Sequence, residues 1–343
     1  MTSPFNRRPI PDYFIASPLV ALLYPVHQIL LRLRGPPRLP PPGTQPIRVV
    51  CISDTHTLEW PDVPDGDLLI HAGDLCNDGS ARDIQAAVDW LRSLPHPYKV
   101  AIGGNHDSYF DVRSRLDEDR IDPASTGDSF AAVSSSTASI HSLHELNSAS
   151  RIDWGDIHYL QHSAVTLSFT DTSTPSPTTP LTSSRSRSLT IYGAPQVPAI
   201  VPFGPEHAFT YPQYHDAWSG CPNLLAESWR VRPALHVFGH VHESAGQEPI
   251  FWDEAQRAWE RLCASRRSRA RFSRLASLAG FLRDLFDLSA WVDAARVVGY
   301  GILGVVWAQV WGGENLHGGW MVNAACMYRD SGKLGNPPRV FEL

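Results

Sequence analysis

The sequence predicts an α/β fold whose functional loops gather at the ends of parallel strands. Three observations predict it. Four apolar, strand-like runs each end directly on residue types that bind metals. The runs alternate little between apolar and polar positions, as strands buried on both faces do. The composition, 43% hydrophobic and 19% charged over 343 residues, is that of a globular protein with chain enough for a large core.

In chain order, the first feature is an apolar segment, residues 13–31 (YFIASPLVALLYPVHQILL), set between Arg7 and Arg8 on one side and Arg32 and Arg34 on the other. Pro18, Pro25, His27 and Gln28 interrupt it, so it lacks the roughly 20 clean residues a bilayer span requires, and no small-residue cleavage site suits a secretory signal. It is expected either to pack on the domain or to make a peripheral membrane contact. A proline-rich joint follows at residues 36–46 (PPRLPPPGTQP), which places the segment and linker in residues 1–46 and the main domain in residues 47–343. Two polar stretches, residues 125–150 and 171–188, read as solvated loop inserts. Residues 251–311 read as a helical insert. Its first part carries Arg266, Arg267, Arg269, Arg271 and Arg274, expected to form a solvated helix face. Its last part, residues 291–311, is apolar, and Asp293, Arg296 and Gln309 favour a buried helix over a membrane span. Gly299, Gly301 and Gly304 have G-x-G-x-x-G spacing, but the preceding residues read as helix and no acidic residue stands at the usual distance downstream, so no dinucleotide site is expected.

A formal net charge of −6 argues against a general nucleic-acid-binding surface, which needs clustered Lys and Arg. Cys51, Cys76, Cys221, Cys263 and Cys326 are odd in number and form no C-x-x-C pair. That usage suits a reducing compartment, so the expected location is cytoplasmic with membrane association through residues 13–31. The 15 histidines must be sorted by position.

The sorting follows from the four runs. Residues 47–52 (IRVVCI) lead into Ser53-Asp54-Thr55-His56. Residues 68–71 lead into Ala72-Gly73-Asp74, residues 99–102 into Gly103-Gly104-Asn105-His106-Asp107, and residues 235–238 into Gly239-His240-Val241-His242. Ligands gather at the carboxyl ends of strands in open α/β sheets, so the four tips are expected to converge. Asp54 and His56, like His240 and His242, stand two apart and in extended chain project to one side. Glycines before Asp74, Asn105 and His240 let the backbone turn sharply. Oxygen donors mixed with imidazoles suit Mn, Fe or Zn rather than a thiolate site. Any one of these histidines alone would more often be structural, and Asp74 alone could be a helix cap; the set together reverses that reading. His71, His96, His236 and His317 lack such company and are expected in core or surface, and Cys76 reads as a small buried residue.

In these motifs the sequence resembles the calcineurin-like metallophosphoesterase superfamily, whose D-x-H, G-D, G-N-H-[DE], G-H and G-H-x-H pattern it matches in four of five blocks. The stretches Ile191-Tyr192-Gly193-Ala194-Pro195 and Met321-Val322-Asn323-Ala324-Ala325 resemble the branch of small metallophosphoesterase-domain-containing proteins. The resemblance implies a sandwich of two mixed β-sheets flanked by helices. It implies two divalent metal ions, one held by Asp54, His56 and His242, the other by Asn105 and His240, with Asp74 bridging. His106 would then be catalytic, beside a small phosphate ester attacked by a metal-activated hydroxide, and Asp107 would orient its ring. Manganese-dependent phosphodiester hydrolysis is the expected activity.

The missing block is a histidine that the family carries between the Asn105 and His240 motifs, where it completes the second metal. His207 and His215 are candidate substitutes, although Pro202, Pro205 and Pro212 argue against a regular central strand around them. Two rival expectations follow: a binding or regulatory protein with impaired turnover, and a phosphoesterase docked on a membrane.

Overall fold

The structure is a computed structural model in which the described residues are 17–40, 44–116, 119, 152–170, 186–198, 208–211, 222–267, 286–311, 315, 317–329 and 331–343. The chain divides into two compact units, one of Met1–Leu39, Gln213–His236 and Gly246–Val322, the other of Pro40–Pro212, Val237–Ala245 and Asn323–Leu343. The first element, helix α1 (Pro18–Arg34), belongs to the former. The expected insert at 125–150 and residues 171–185 of the second lie outside the described residues. Residues 186–188, expected in a loop, instead open a strand.

The second-named unit holds a five-stranded sheet. Its strands are β1 (Arg48–Ile52), β2 (Leu68–Ala72), β3 (Tyr98–Ile102), β4 (Ile157–Tyr159) and β12 (Arg339–Glu342), in the order β12-β1-β2-β3-β4. β1 to β4 are mutually parallel and β12 runs antiparallel on the edge of β1, so the sheet is mixed. Helix α2 (Ala81–Ser93) crosses from β2 to β3. It starts where Ser80 takes an extended conformation and accepts from the Asp83 amide at 3.2 Å, an N-cap. Its apolar positions Ile84, Val88 and Leu91 recur at helical spacing and are buried with Val50, Ile52, Leu69 and Ala101 of the sheet. β5 (Ser163–Thr170) and β6 (Ser186–Gly193) form an antiparallel pair with period-two burial, and β7 (Val197–Pro198) pairs parallel with β8 (Thr210–Tyr211).

The first-named unit adds helices α3 (Pro222–Val231), α4 (Glu254–Arg267) and α5 (Leu288–Gln309). Strands β9 (Leu235–Phe238), β10 (Gly246–Phe251) and β11 (Gly318–Asn323) form a sheet in the order β10-β11-β9, and the chain passes between units inside β9 and at the end of β11. Ser17 caps α1, accepting from the Val20 amide at 3.3 Å, and Pro18 occupies the first helical position, where its missing N–H costs nothing. The helix continues through Pro25. Residues 18–34 thus form one helix of 17 residues, and Leu19 and Leu23 pack with Ala258, Leu262, Ala290, Ala294 and Val297.

The glycines of the G-x-G-x-x-G spacing lie inside α5. A Cβ on Gly301 would stand 2.7 Å from Leu30 and one on Gly304 would stand 2.9 Å from the Arg34 guanidinium, so these glycines let α1 approach α5 closely. The structure corrects the expectation of a buried α5: Ala290, Ala294, Val297 and Gly301 are buried, while Val292, Leu303, Trp307 and Val310 are exposed.

Candidate metal centre

The ends of three neighbouring parallel strands and the end of β9 deliver the motifs to one place. Asp54 and His56 follow β1, Asp74 follows β2, Asn105 and His106 follow β3, and His240 and His242 follow β9. Asp54 (φ 52°), His56 (φ 47°), Asp74 (φ 54°) and His240 (φ 72°) all take left-handed backbone conformations. Non-glycine residues there are strained, and such strain persists only where the surroundings demand it.

Asp54, His56 and His242 each bring a ligand atom to within 4.8 Å of the others. Asp54 is wholly buried, and its carboxylate accepts from the His240 amide at 2.8 and 3.0 Å. Gly239 makes that approach feasible, because a Cβ there would lie 2.0 Å from Asp54 Oδ2. Gly104 does the same for Asp74, whose Oδ1 would be 2.2 Å from an added Cβ. Asp74 Oδ1 accepts from the His106 amide at 2.9 Å, and its Oδ2 stands 4.0 Å from His56 Nε2.

The hydrogen-bond directions test whether a cation suits this group. His242 Nδ1–H donates to the Arg329 carbonyl at 2.8 Å. Its Nε2 then faces Asp54 Oδ1 at 3.2 Å and His56 Nε2 at 3.3 Å, either as the N–H of an imidazolium or as a lone pair beside a cation. Burial together with the charges of Asp54 and Asp107 pushes the Asp74 carboxyl well above the ordinary range. Burial also opposes charge on Asp54, but hydrogen bonds from His242, Ser53 and the His240 backbone hold that carboxyl low. His56 is lowered to about 4, chiefly by burial and then by His106, so it is a neutral imidazole at pH 7, the form that ligates. Converging lone pairs and a buried excess of carboxylate fit a divalent cation, whose charge would relieve both.

The remaining expected residues lie alongside. His240 Nδ1–H donates to Asn105 Oδ1 at 2.8 Å, which leaves that oxygen a second lone pair. His106 Nδ1–H donates to the Asn77 carbonyl at 3.0 Å, and its ring meets that of His56 edge-on, centroids 4.7 Å apart. Asp107 does not turn toward this ring. Its buried carboxylate accepts from the amides of Leu75, Cys76 and Gly104 at 3.2, 3.1 and 2.7 Å, tying the β2 and β3 loops together. Cys76 is buried beside it, with burial pushing its thiol far up, as a packing residue would be. His71 is buried with Nε2 bonded to Thr55 Oγ1 at 2.9 Å. His207 and His215 lie outside the described residues.

A sequence model of the calcineurin-like phosphoesterase family matches residues 47–244, more than half of the chain. The chain belongs to that family. Metal-dependent phosphoester hydrolysis is the family's chemistry, and the mixed sheets flanked by helices agree with its fold. Metallophosphoesterase domain-containing protein 1 of Homo sapiens is 30% identical over 236 residues, 60% of this chain and 63% of that protein. An UPF0046 protein of Caenorhabditis elegans is 31% identical over 221 residues, 60% of this chain and 67% of its own length. A protein named probable rhamnogalacturonate lyase C, from Emericella nidulans, is 30% identical over 244 residues, 62% of this chain but 19% of that protein. The chain thus spans less than two thirds of two of these three relatives.

Sequence reasoning missed the groups that orient the site residues. The Asn77 and Arg329 carbonyls orient His106 and His242. Asn323 donates to the Val241 carbonyl at 2.8 Å and accepts from the Ala325 amide at 3.2 Å, bracing the His240 loop. Backbone carbonyls leave no sequence signal; Asn323 sits in the Met321-Val322-Asn323-Ala324-Ala325 stretch, whose match to the small-protein branch was its one trace.

Proposed function

We propose that the chain is a metal-dependent hydrolase of small phosphodiesters. The observation that carries this is the convergence of buried Asp54 and His56 with partly buried His242 within 4.8 Å. In this reading these three hold one ion, Asn105 and His240 hold a second, and Asp74 is shared between them. Divalent ions bound there would attract the phosphate and lower the pKa of a water. Of the protein's own groups, His106 handles the proton of the leaving oxygen: with Nδ1–H engaged by Asn77, Nε2 is the ring atom that can exchange it. The tie of Asp107 to three amides keeps the Asp74 and Asn105 loops in register. A small substrate is favoured over nucleic acid because the net charge is −6.

The purified protein assayed on an aryl phosphodiester and an aryl phosphomonoester, with Mn supplied or chelated, tests the proposal. Mn-dependent turnover of the diester, lost on chelation, is expected. Preference for the monoester would reverse the substrate class. Metal binding without turnover of either ester would favour the rival reading, a regulatory protein on this fold. What supports that rival is the absent family histidine, since the second ion would have one imidazole, a neutral amide oxygen and a share of Asp74.

A further inference from the structure

Helices α1 and α5 cover only part of their apolar surface within their own unit. On α1, Leu19, Leu23 and His27 are buried. At about 100° per residue, Leu22, Val26, Ile29 and Leu33 form a second stripe directly beside the buried one. All four are exposed, Leu22 by 63% and Ile29 by 54%. Arg32 flanks this second stripe, and Gln28 lies farther round the helix. On α5 the inversion is stronger. The arc opposite the buried Ala290, Ala294, Val297 and Gly301 holds Val292, Leu303 and Val310, flanked by Ile302 on one side and Tyr300 and Trp307 on the other, with Leu303 61% and Trp307 55% exposed. A soluble helix turns its polar face to water; this one turns an apolar face outward, with Arg296 the charge on that arc.

Among the described residues, α5 is also a helix long and apolar enough to cross a membrane. Its opposite face, however, packs against α1 and α4 through Leu19, Leu23, Ala258 and Leu262, which fits a helix lying on a surface better than one surrounded by lipid. Charge and residue type select the surface. Residues 18–34 contain no acidic side chain, and the one acidic residue of α5, Asp293, is held by Arg261 at 2.8 Å and by Arg296 at 3.2 Å, while Arg32 is exposed. The exposed aromatics Trp291, Tyr300, Trp307 and Trp311 are the types that settle at headgroup depth.

We propose that α1 and α5, held side by side by the contacts of Leu30 with Gly301 and Arg34 with Gly304, form a docking surface for an anionic lipid bilayer, with both helices in the plane of the interface. The contact is peripheral. It enlarges the N-terminal segment, residues 13–31, into a two-helix surface and does not depend on the catalytic reading.

Sedimentation of the full-length protein with phosphatidylcholine vesicles, with and without phosphatidylserine, tests it. Binding should rise with phosphatidylserine, and Leu33→Glu on α1 and Leu303→Glu on α5 should each weaken it by about tenfold or more, since each removes apolar burial and adds a repelled charge. Gln28→Ala should leave it unchanged. Circular dichroism melting of every variant separates lost docking from lost fold, and the milder Leu33→Ser and Leu303→Ser replace any glutamate variant that melts early. No binding to either vesicle overturns the proposal, as does binding indifferent to both substitutions. A concentration-dependent dimer abolished by the substitutions, without vesicle binding, would assign the face to a second copy of the chain. Resistance of the bound protein to carbonate washing would overturn the peripheral placement.

Discussion

In the proposed mechanism Asp74 and His106 have separable tasks, and substitution should separate them. Asp74 is buried against Asp54 and disfavoured as a lone carboxylate, so its charge is tolerated only beside a cation. Asp74→Asn should therefore lose metal and Mn-stimulated hydrolysis together, measured by metal content and turnover on one sample. Retention of both would exclude it from the centre. His106 is aimed by the Asn77 carbonyl and contacts Asp74 through its backbone amide rather than its ring. His106→Ala should keep its metal and lose about two to four decades of rate, the range of a positioned acid or base. Loss of metal in that variant would make His106 a ligand. The gathering of Asp54, His56 and His242 was legible because D-x-H and G-H-x-H put metal-binding types at strand ends. Asp107 was misread because its three amide partners come from loops about thirty positions away and next to it, an arrangement without a local pattern.

At the scale of elements, α1 and α5 depend on glycine unevenly. Nothing lies within 4 Å of a Cβ built on Gly299, whereas one on Gly301 meets Leu30 at 2.7 Å. Gly299→Ala should thus raise stability by up to about 1 kcal/mol through helix propensity, and Gly301→Ala should gain less or lose, read as the difference in melting temperature. His27 gives α1 a pH dependence. It is buried, stacked on Trp259 with centroids 4.6 Å apart, and its pKa falls from 6.5 to about 4, burial outweighing the opposing charge of Asp253. Arg34, one further charge lining the same small cavity, pairs with Asp253. Between pH 6.5 and about 4 the unfolded chain binds more protons at this site than the folded one, so His27's contribution is fully present above pH 6.5 and is lost as pH falls through that window. Urea unfolding at pH 7 and pH 5 should show the loss, and His27→Leu should reduce it by the share of His27, because His56 and His71, also lowered to about 4 by burial, act in the same direction. An unchanged pH response in that variant would place the titration elsewhere. α1 continues through Pro25 because the hydrogen bond that a proline removes is outweighed by the tertiary packing of Leu19, Leu23 and His27.

For the whole molecule, the decisive measurement is metal stoichiometry. Mn titrated into the metal-free protein should fill one site at modest concentration and a second only in excess, with hydrolysis following the second. Two ions bound tightly from the start would mean that another residue replaces the absent histidine. The sequence by itself determined the α/β class, the order of the strand-end motifs and the residue types that meet there, because metal chemistry demands particular side chains and parallel strands demand particular runs of apolar residues. Only the tertiary structure decided which atoms face one another: that Arg329 turns the His242 Nε2 inward, that Asp107 ties loops instead of a ring, and that α5 keeps an apolar face outward. Those outcomes rest on backbone carbonyls and on packing between residues far apart in the chain, and neither leaves a periodicity or a motif to be read in advance.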